Sequence, residues 1–378
     1  MNIPITRPYL GEEERRAVAA PLETGWVVQG PRVREFEQAV SAMTGAPIAL
    51  ATTSCTTALH LSLAALGIGP GDEVIVPSFT FVATANVVEY QGARPVFVDI
   101  DLATFNLDVA QVERRITPRT RAVIPVHLFG LSADMAPLME LARRHNLRVV
   151  EDAACALGTT YHGQHVGTFG DTGCLSFHAR KIITTGEGGM VLASDADLGR
   201  RMEAMRSHGG VVSDLERHQK GAFALPDHPM LGYNYRMTDM QGAVGVEQMK
   251  KLDYILARRR DLACRYDDAL GEVPGVATPH VPQGYTHTYQ SYVLLVTEDA
   301  QVPRDDLAVR LQAKGISTRQ GTHAVHLLGY YRQKYNLKPQ DCPRAWQAHC
   351  QSLALPLFPA MTDEEQAYVI DSLRGMLV

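Results

Sequence analysis

Lys181 and Asp152 are the residues of this chain whose types and setting best suit covalent chemistry. Lys181 lies in Ser176-Phe177-His178-Ala179-Arg180-Lys181-Ile182-Ile183-Thr184-Thr185-Gly186-Glu187-Gly188-Gly189, where a strand gives way to a turn rich in threonine and glycine. Asp152 closes an earlier apolar run, Val149-Val150-Glu151-Asp152. An amine that can hold an aldehyde, paired with a carboxylate that keeps a pyridine nitrogen protonated, is what pyridoxal phosphate chemistry needs. A lone lysine after a strand is ordinarily a surface residue, and a lone aspartate before Ala-Ala reads equally well as a helix cap. Found together, each makes the other's chemical reading the stronger one.

Other segments supply what such a cofactor would need. Thr53-Ser54-Cys55-Thr56-Thr57 runs from a strand into a helix through small hydroxyl residues, which leaves free N–H groups at a helix start, a ready phosphate site. Ser176 can add a hydroxyl, and Phe81, after Pro77-Ser78-Phe79-Thr80, can stack on a ring if it is not simply core. Gly232-Tyr233-Asn234-Tyr235-Arg236-Met237 either projects into a shared site or caps the helix that follows. Gly321-Thr322-His323-Ala324-Val325-His326 holds two histidines three apart, but with no third ligand in sight a metal is not expected. Arg236 and His326 are taken as substrate contacts, with a hydrogen-bonded structural histidine as the alternative for His326.

The elements that must position these residues follow from patterning. Short apolar runs at Pro47–Leu50, Glu73–Val76, Pro95–Val98, Ala122–Val126, Arg148–Val150 and Gly189–Leu192 alternate with helical stretches such as Thr56–Leu66, Asp134–His145 and Asp195–His208. Fully apolar strands separated by helices predict a mostly parallel sheet covered on both faces, an α/β fold. Asp152 then falls at the carboxyl edge of the sheet, where open α/β folds bind ligands. Thr238 or Asp239 is expected to cap one long helix reaching about Tyr266. The strand Ser291–Val296, a helix at Arg304–Ala313 and a closing helix at Asp363–Met376 suggest a smaller α+β unit, so the domains are expected at 1–250 and 251–378.

Composition narrows the class. With 378 residues, 46% hydrophobic and 20% charged, the chain is that of an ordinary globular protein. Its 36 Lys and Arg are scattered among 41 Asp and Glu for a net charge of −5, so nucleic acid is not an expected partner. Ala257-Arg258-Arg259-Arg260 reads as a solvated helix face. No apolar stretch has the length of a signal core or a membrane span, and the six cysteines form no Cys-x-x-Cys pair, so a cytoplasmic protein with reduced thiols is expected. A nicotinamide-type oxidoreductase would need Gly-x-Gly-x-x-Gly after an early strand, and none stands there.

Taken together, the segments resemble the sugar aminotransferase family called DegT/DnrJ/StrS, within fold type I of the pyridoxal phosphate enzymes. The similarity runs from Gly25-Trp26-Val27-Val28-Gln29-Gly30-Pro31 through Val126-His127-Leu128-Phe129-Gly130 to the last helix. The resemblance implies Lys181 as the covalent cofactor lysine, Asp152 as partner of the pyridine nitrogen and Phe81 as the stacking ring. It implies Cys55, Thr56 and Ser176 at the phosphate, and Asn234 reaching it from the neighbouring subunit of a homodimer. It also implies a nucleotide-linked ketosugar acceptor and glutamate as donor. Cys155 is a departure, for relatives usually carry Gln or His at that cofactor-binding position, and a thiol is a weaker donor to the phenolic oxygen. Lys181 argues against the family's dehydratases, which carry histidine there. Thr184–Gly189 resembles members that aminate 4-keto sugars, whereas Gly321–His326 differs from the perosamine synthase forms and leaves the sugar open. A 3-keto-sugar or aminocyclitol aminotransferase, and a cofactor-binding regulatory protein without turnover, are the alternatives.

Overall fold

A computed structural model describes residues 1–210 and 227–377. Its centre is a seven-stranded sheet built from β1 (Ile48–Thr52), β2 (Glu73–Pro77), β3 (Arg94–Val98), β4 (Thr120–Val123), β5 (Arg148–Asp152), β6 (Thr172–Ser176) and β7 (Gly189–Ala193). The spatial order is β1-β7-β6-β5-β4-β2-β3. All neighbours pair in parallel except β7, which runs antiparallel to both β1 and β6. The six apolar runs read from the sequence all lie in this sheet. The seventh strand, β6, carries Thr172, Gly173 and Cys174 in place of a Val/Ile run, which is why its pattern is weaker.

Both faces of the sheet are covered, as an all-apolar strand demands. Along β2, Val74 and Val76 enter one core with Leu59, Phe79 and Val88, while Ile75 enters the opposite core with Phe36, Val123, Val149 and Leu175. This alternation fixes the strand register, because a slip of one residue would exchange the two faces.

The expected helix from Asp239 to about Tyr266 is two helices, Asp239–Lys250 and Leu252–Leu270, joined at Lys251. Lys251 Nζ pairs with Glu14 at 2.7 Å and Glu13 at 3.1 Å, which ties the joint to the first helix, Glu12–Thr24. Thr238 is the cap, with Gln241 completing a reciprocal capping pair. Asp239 serves another element: its Oδ1 accepts the Val33 N–H at 2.9 Å, at the start of the helix Pro31–Thr44.

A smaller antiparallel sheet, β8 (Val276–Ala277), β9 (Tyr292–Val296) and β10 (Ser352–Leu355), organises the C-terminal part. On β9, Tyr292, Leu294 and Val296 face a third core with Leu262, Tyr266, Phe358 and Leu373, while Val293 and Leu295 join a core of the main sheet. Ile3 is also buried in this third core and bridges Ile316 in parallel, so the first residues of the chain pack with its last third. Arg259 is buried rather than solvated. Its Nη1 donates to the carbonyls of Tyr289, Gln290 and Leu357 at 3.0–3.3 Å. Among the described residues no helix is long and apolar enough to cross a membrane, and all six cysteines are free.

Candidate active site

The parallel strands end at one edge, and the chemistry-bearing residues collect there. Asp152 is the last residue of β5 and is buried. Its Oδ2 accepts the Thr84 hydroxyl at 2.8 Å and its Oδ1 accepts the Ala154 N–H at 3.2 Å. Burial pushes its pKa up, and the pull of Thr84, Ala154, Lys181 and His127 does not fully offset that. A carboxyl group so placed gains most from a cation brought into contact with it.

The residue before it anchors the edge. Glu151, fully buried, accepts the N–H groups of Gly167, Phe169 and Gly170 at 2.7–2.8 Å and the Nε2–H of His127 at 3.0 Å. Ala133 N–H donates to His127 Nδ1 at 3.1 Å, so the ring proton must sit on Nε2. Thr84, Glu151 and His127 were not singled out from sequence. Only adjacency to Asp152, and the His127-Leu128-Phe129-Gly130 run, hinted at two of them.

Lys181 lies on the long connection between the antiparallel neighbours β6 and β7, which hold both of its ends. Among the described residues the one hydrogen-bond partner of its Nζ is Cys155 Sγ, at 3.2 Å. Burial pushes the ammonium pKa down, while the Cys155 sulfur, its hydrogen bond, Cys55 and Asp152 push it up by more, so the balance is a raised value. Burial drives the Cys55 thiol well above its ordinary range, so near neutral pH it carries no charge and adds to the pull on Lys181 only once ionised; Asp152 is the one carboxylate in that set.

The phosphate-type donors meet around Gly189. This residue starts β7 and pairs with Thr52 on one side and Ser176 on the other. A Cβ at Gly189 would sit 2.3 Å from the Ser54 carbonyl carbon and 2.4 Å from the Cys55 nitrogen, so only glycine lets the sheet press against the start of the helix Cys55–Ala65. There Ser54 Oγ accepts the Thr57 N–H at 3.2 Å and Ser54 O accepts that of Ala58 at 3.1 Å, while the Cys55 and Thr56 N–H groups precede any intrahelical acceptor. Ser176 Oγ makes one long contact, accepting from His178 N–H at 3.5 Å. Gly189→Ala is expected to destabilise the fold by about 1–3 kcal/mol by overpacking and to weaken binding of a phosphate-bearing cofactor, read by thermal unfolding and cofactor titration.

Phe81 follows the short strand Phe79–Thr80 and is 62% exposed, so it is not core. Its ring stands beside the helix Ala83–Tyr90, from which Thr84 reaches Asp152. The segment 233–236 runs along the end of β1, with Thr53 N–H donating to Tyr235 O at 3.0 Å and Arg236 bridging Thr52. Asn234 is exposed there, and Arg236 Nη1 donates to Ser207 Oγ at 3.0 Å.

His326 departs from expectation. It is fully buried, its Nδ1 is hydrogen-bonded to Ser78 Oγ, and its Nε2 has no hydrogen-bond partner among the described residues, which suits the structural alternative better than an open substrate contact. Burial lowers its pKa to about 4, which keeps the ring neutral at pH 7. Its segment instead supports the site, as His323 and Ala324 pair with Thr80 and Phe79. A buried histidine with an inward hydroxyl partner has the same sequence signature as a ligand-binding one.

The arrangement thus offers an amine, a buried carboxyl, a cradle of N–H and hydroxyl donors, and an exposed aromatic ring. These match, in order, the aldehyde, ring nitrogen, phosphate and ring face of pyridoxal phosphate. Residues 8–374 match the DegT/DnrJ/EryC1/StrS aminotransferase family. The chain belongs to that family. This aminotransferase is 41% identical over 379 residues to GDP-perosamine synthase of Caulobacter vibrioides, covering 100% of this chain and 99% of that one. It is 40% identical over 377 residues to the spore coat polysaccharide biosynthesis protein SpsC of Bacillus subtilis, covering 99% and 97%. Its fold matches the PLP form of the sugar aminotransferase Spr1654 from Streptococcus pneumoniae with a TM-score of 0.91 at 29% identity, over 100% and 98% of the two chains. The aminotransferase has the α/β fold of these enzymes, and pyridoxal 5'-phosphate is its cofactor.

Proposed function

We propose that this aminotransferase transfers an amino group from L-glutamate to C4 of a nucleotide-linked keto-deoxysugar. The observation that carries the reading is the convergence of Lys181, Asp152 and the Gly189 cradle at one sheet edge, in a chain that is 41% identical, end to end, to a GDP-perosamine synthase. The bound cofactor supplies an electron sink for the carbon that loses or gains the proton.

In this reading Lys181 Nζ binds the cofactor's aldehyde and later moves the proton at the substrate carbon. The Asp152 carboxylate holds the ring nitrogen protonated, and Thr84 orients that carboxylate through its 2.8 Å hydrogen bond. Cys55 and Thr56, through their N–H groups, and Ser176, through its hydroxyl, hold the phosphate. Phe81 would cover one ring face, and Cys155 would stand in for the usual donor to the phenolic oxygen. Asn234, exposed on this chain, would reach the phosphate of a second copy in a homodimer, and Arg236 would contact the sugar nucleotide. His326 positions the Phe79–Thr80 strand from behind.

The test is a panel of nucleoside-diphosphate 4-keto and 3-keto sugars incubated with glutamate, each product identified by mass spectrometry. The expected result is an aminated 4-keto sugar with 2-oxoglutarate formed in equal amount. Amination confined to 3-keto substrates would move the position, and cofactor binding without turnover on any ketosugar would overturn the enzymatic reading.

A further inference from the structure

We propose that a cavity on the opposite edge of the main sheet from Lys181 is a second ligand site, one that takes a metabolite bearing a diphosphate group. The cavity has a volume of about 460 Å³ and lies against the edge strand β3, between the end of the helix Val109–Arg115 and the turn after the helix Gly329–Tyr335. Glu73 and Arg94, which open β2 and β3, mark it as the amino edge of the sheet. A five-residue strand separates that edge from the carboxyl edge, roughly 15 Å.

Four arginines line it, Arg94, Arg114, Arg115 and Arg119. Arg119 is already committed to the buried Glu73, whose carboxylate it meets at 2.7 and 3.1 Å, and Thr117 donates to the same carboxylate at 2.5 Å. Asp341, on the same wall, accepts the Lys338 N–H at 2.8 Å. Among the described residues, Arg114 and Arg115 have no hydrogen-bond or ion-pair partner, while Arg94 stacks over the Tyr335 ring, 5.1 Å from the centroid, and is attracted to the Glu73 carboxylate without bonding to it. Four guanidiniums face two carboxylates, Glu73 and Asp341, in this concavity, which leaves an excess of positive charge centred on Arg114 and Arg115 that a multiply charged anion relieves. Guanidinium forks match phosphate oxygens in pairs, which favours phosphate over a single carboxylate.

The apolar share of the wall carries the rest of the argument. Pro95, Leu337 and the edge of Tyr335, whose face is taken by Arg94, add an apolar surface against which a flat or saturated ring attached to the phosphates can rest. The Tyr335 hydroxyl is held by Glu89 at 2.6 Å, which fixes that face in place. The volume falls within the roughly 300–1,000 Å³ of small-molecule sites. None of these residues takes part in the proposed transamination chemistry, so this site stands or falls independently of it.

Isothermal titration calorimetry on the enzyme saturated with pyridoxal phosphate, with inorganic pyrophosphate as the probe, tests this directly. Filling the cofactor site removes one competing phosphate cradle, and the proposed sugar-nucleotide site at the carboxyl edge, which contains none of these arginines, is the constant background against which the variant is compared. Saturable binding is expected that weakens as ionic strength rises and falls roughly tenfold or more in the triple variant R94Q/R114Q/R115Q. GDP as a second probe should slow backbone hydrogen exchange in segments 109–119 and 330–342. Turnover of the triple variant without added ligand should match the parent, which shows that the variant is folded; if it does not, R115E alone serves as the binding variant. Pyrophosphate binding unchanged in the variants, no binding at millimolar probe, or GDP protection confined to the carboxyl edge would each overturn the proposal.

Discussion

Replacing Lys181 by alanine removes covalent cofactor attachment and lowers turnover by on the order of 10⁴-fold. In the proposed reading the lysine has two jobs, as nucleophile toward the aldehyde and as proton carrier at the substrate carbon, and alanine can do neither. The fold should survive, because Lys181 Nζ has Cys155 Sγ as its one hydrogen-bond partner among the described residues and no carboxylate within ion-pair distance. Borohydride reduction followed by peptide mass spectrometry is the check. The parent should carry the cofactor on the peptide containing Lys181, and the variant nowhere. A label on another lysine, in either protein, would remove the assignment.

The second large effect is expected at Asp152. Asp152→Asn keeps the shape and a hydrogen-bond acceptor for Thr84 but removes the charge, and turnover should fall by about 10²–10³-fold. Stability separates this role from a structural one. Burial raises the Asp152 pKa in the folded cofactor-free protein, so the folded state binds more protons than the unfolded state between the ordinary value of 3.8 and the raised one. Stability conferred by the neutral carboxyl is therefore present below that window and lost as pH rises through it. The asparagine variant lacks this loss, so without cofactor it should melt no lower than the parent near neutral pH. With cofactor the order reverses: a cationic ring nitrogen stabilises the parent's carboxylate and not the amide. The rise in melting temperature on adding pyridoxal phosphate should be clearly smaller in Asp152→Asn. Equal rises would show that the carboxylate does not meet the ring.

The sheet was legible in the sequence because its strands are buried on both faces and so read as unbroken Val/Ile runs, and the residues that close those runs were placed with them. Asp152 was placed at a strand end for that reason, whereas Ser176 closes the weakly patterned β6 and was placed by its spacing to Lys181. What escaped were interactions between segments far apart in the chain. Thr84 is one hydroxyl in a helix turn until β2 and β5 bring it to Asp152, 68 residues away. The break at Lys251 depends on Glu13 and Glu14, more than two hundred residues earlier. For His326 the sequence left a substrate contact and a structural histidine side by side, because its hydroxyl partner, Ser78, lies 248 residues away. Sequence patterning reports which side of an element is greasy, and says little about which distant polar group will complete a hydrogen bond.

The burial of Ile3 beside Ile316 bears on how the molecule is assembled. On a ribosome Ile3 emerges some three hundred positions before Ile316, and it has to wait, unsheltered, until that stretch has been made. Closing so wide a loop is slow. The segment around Ile316 then locks onto residues synthesised long before it, so completion of this unit is a late step that joins stretches far apart in the chain.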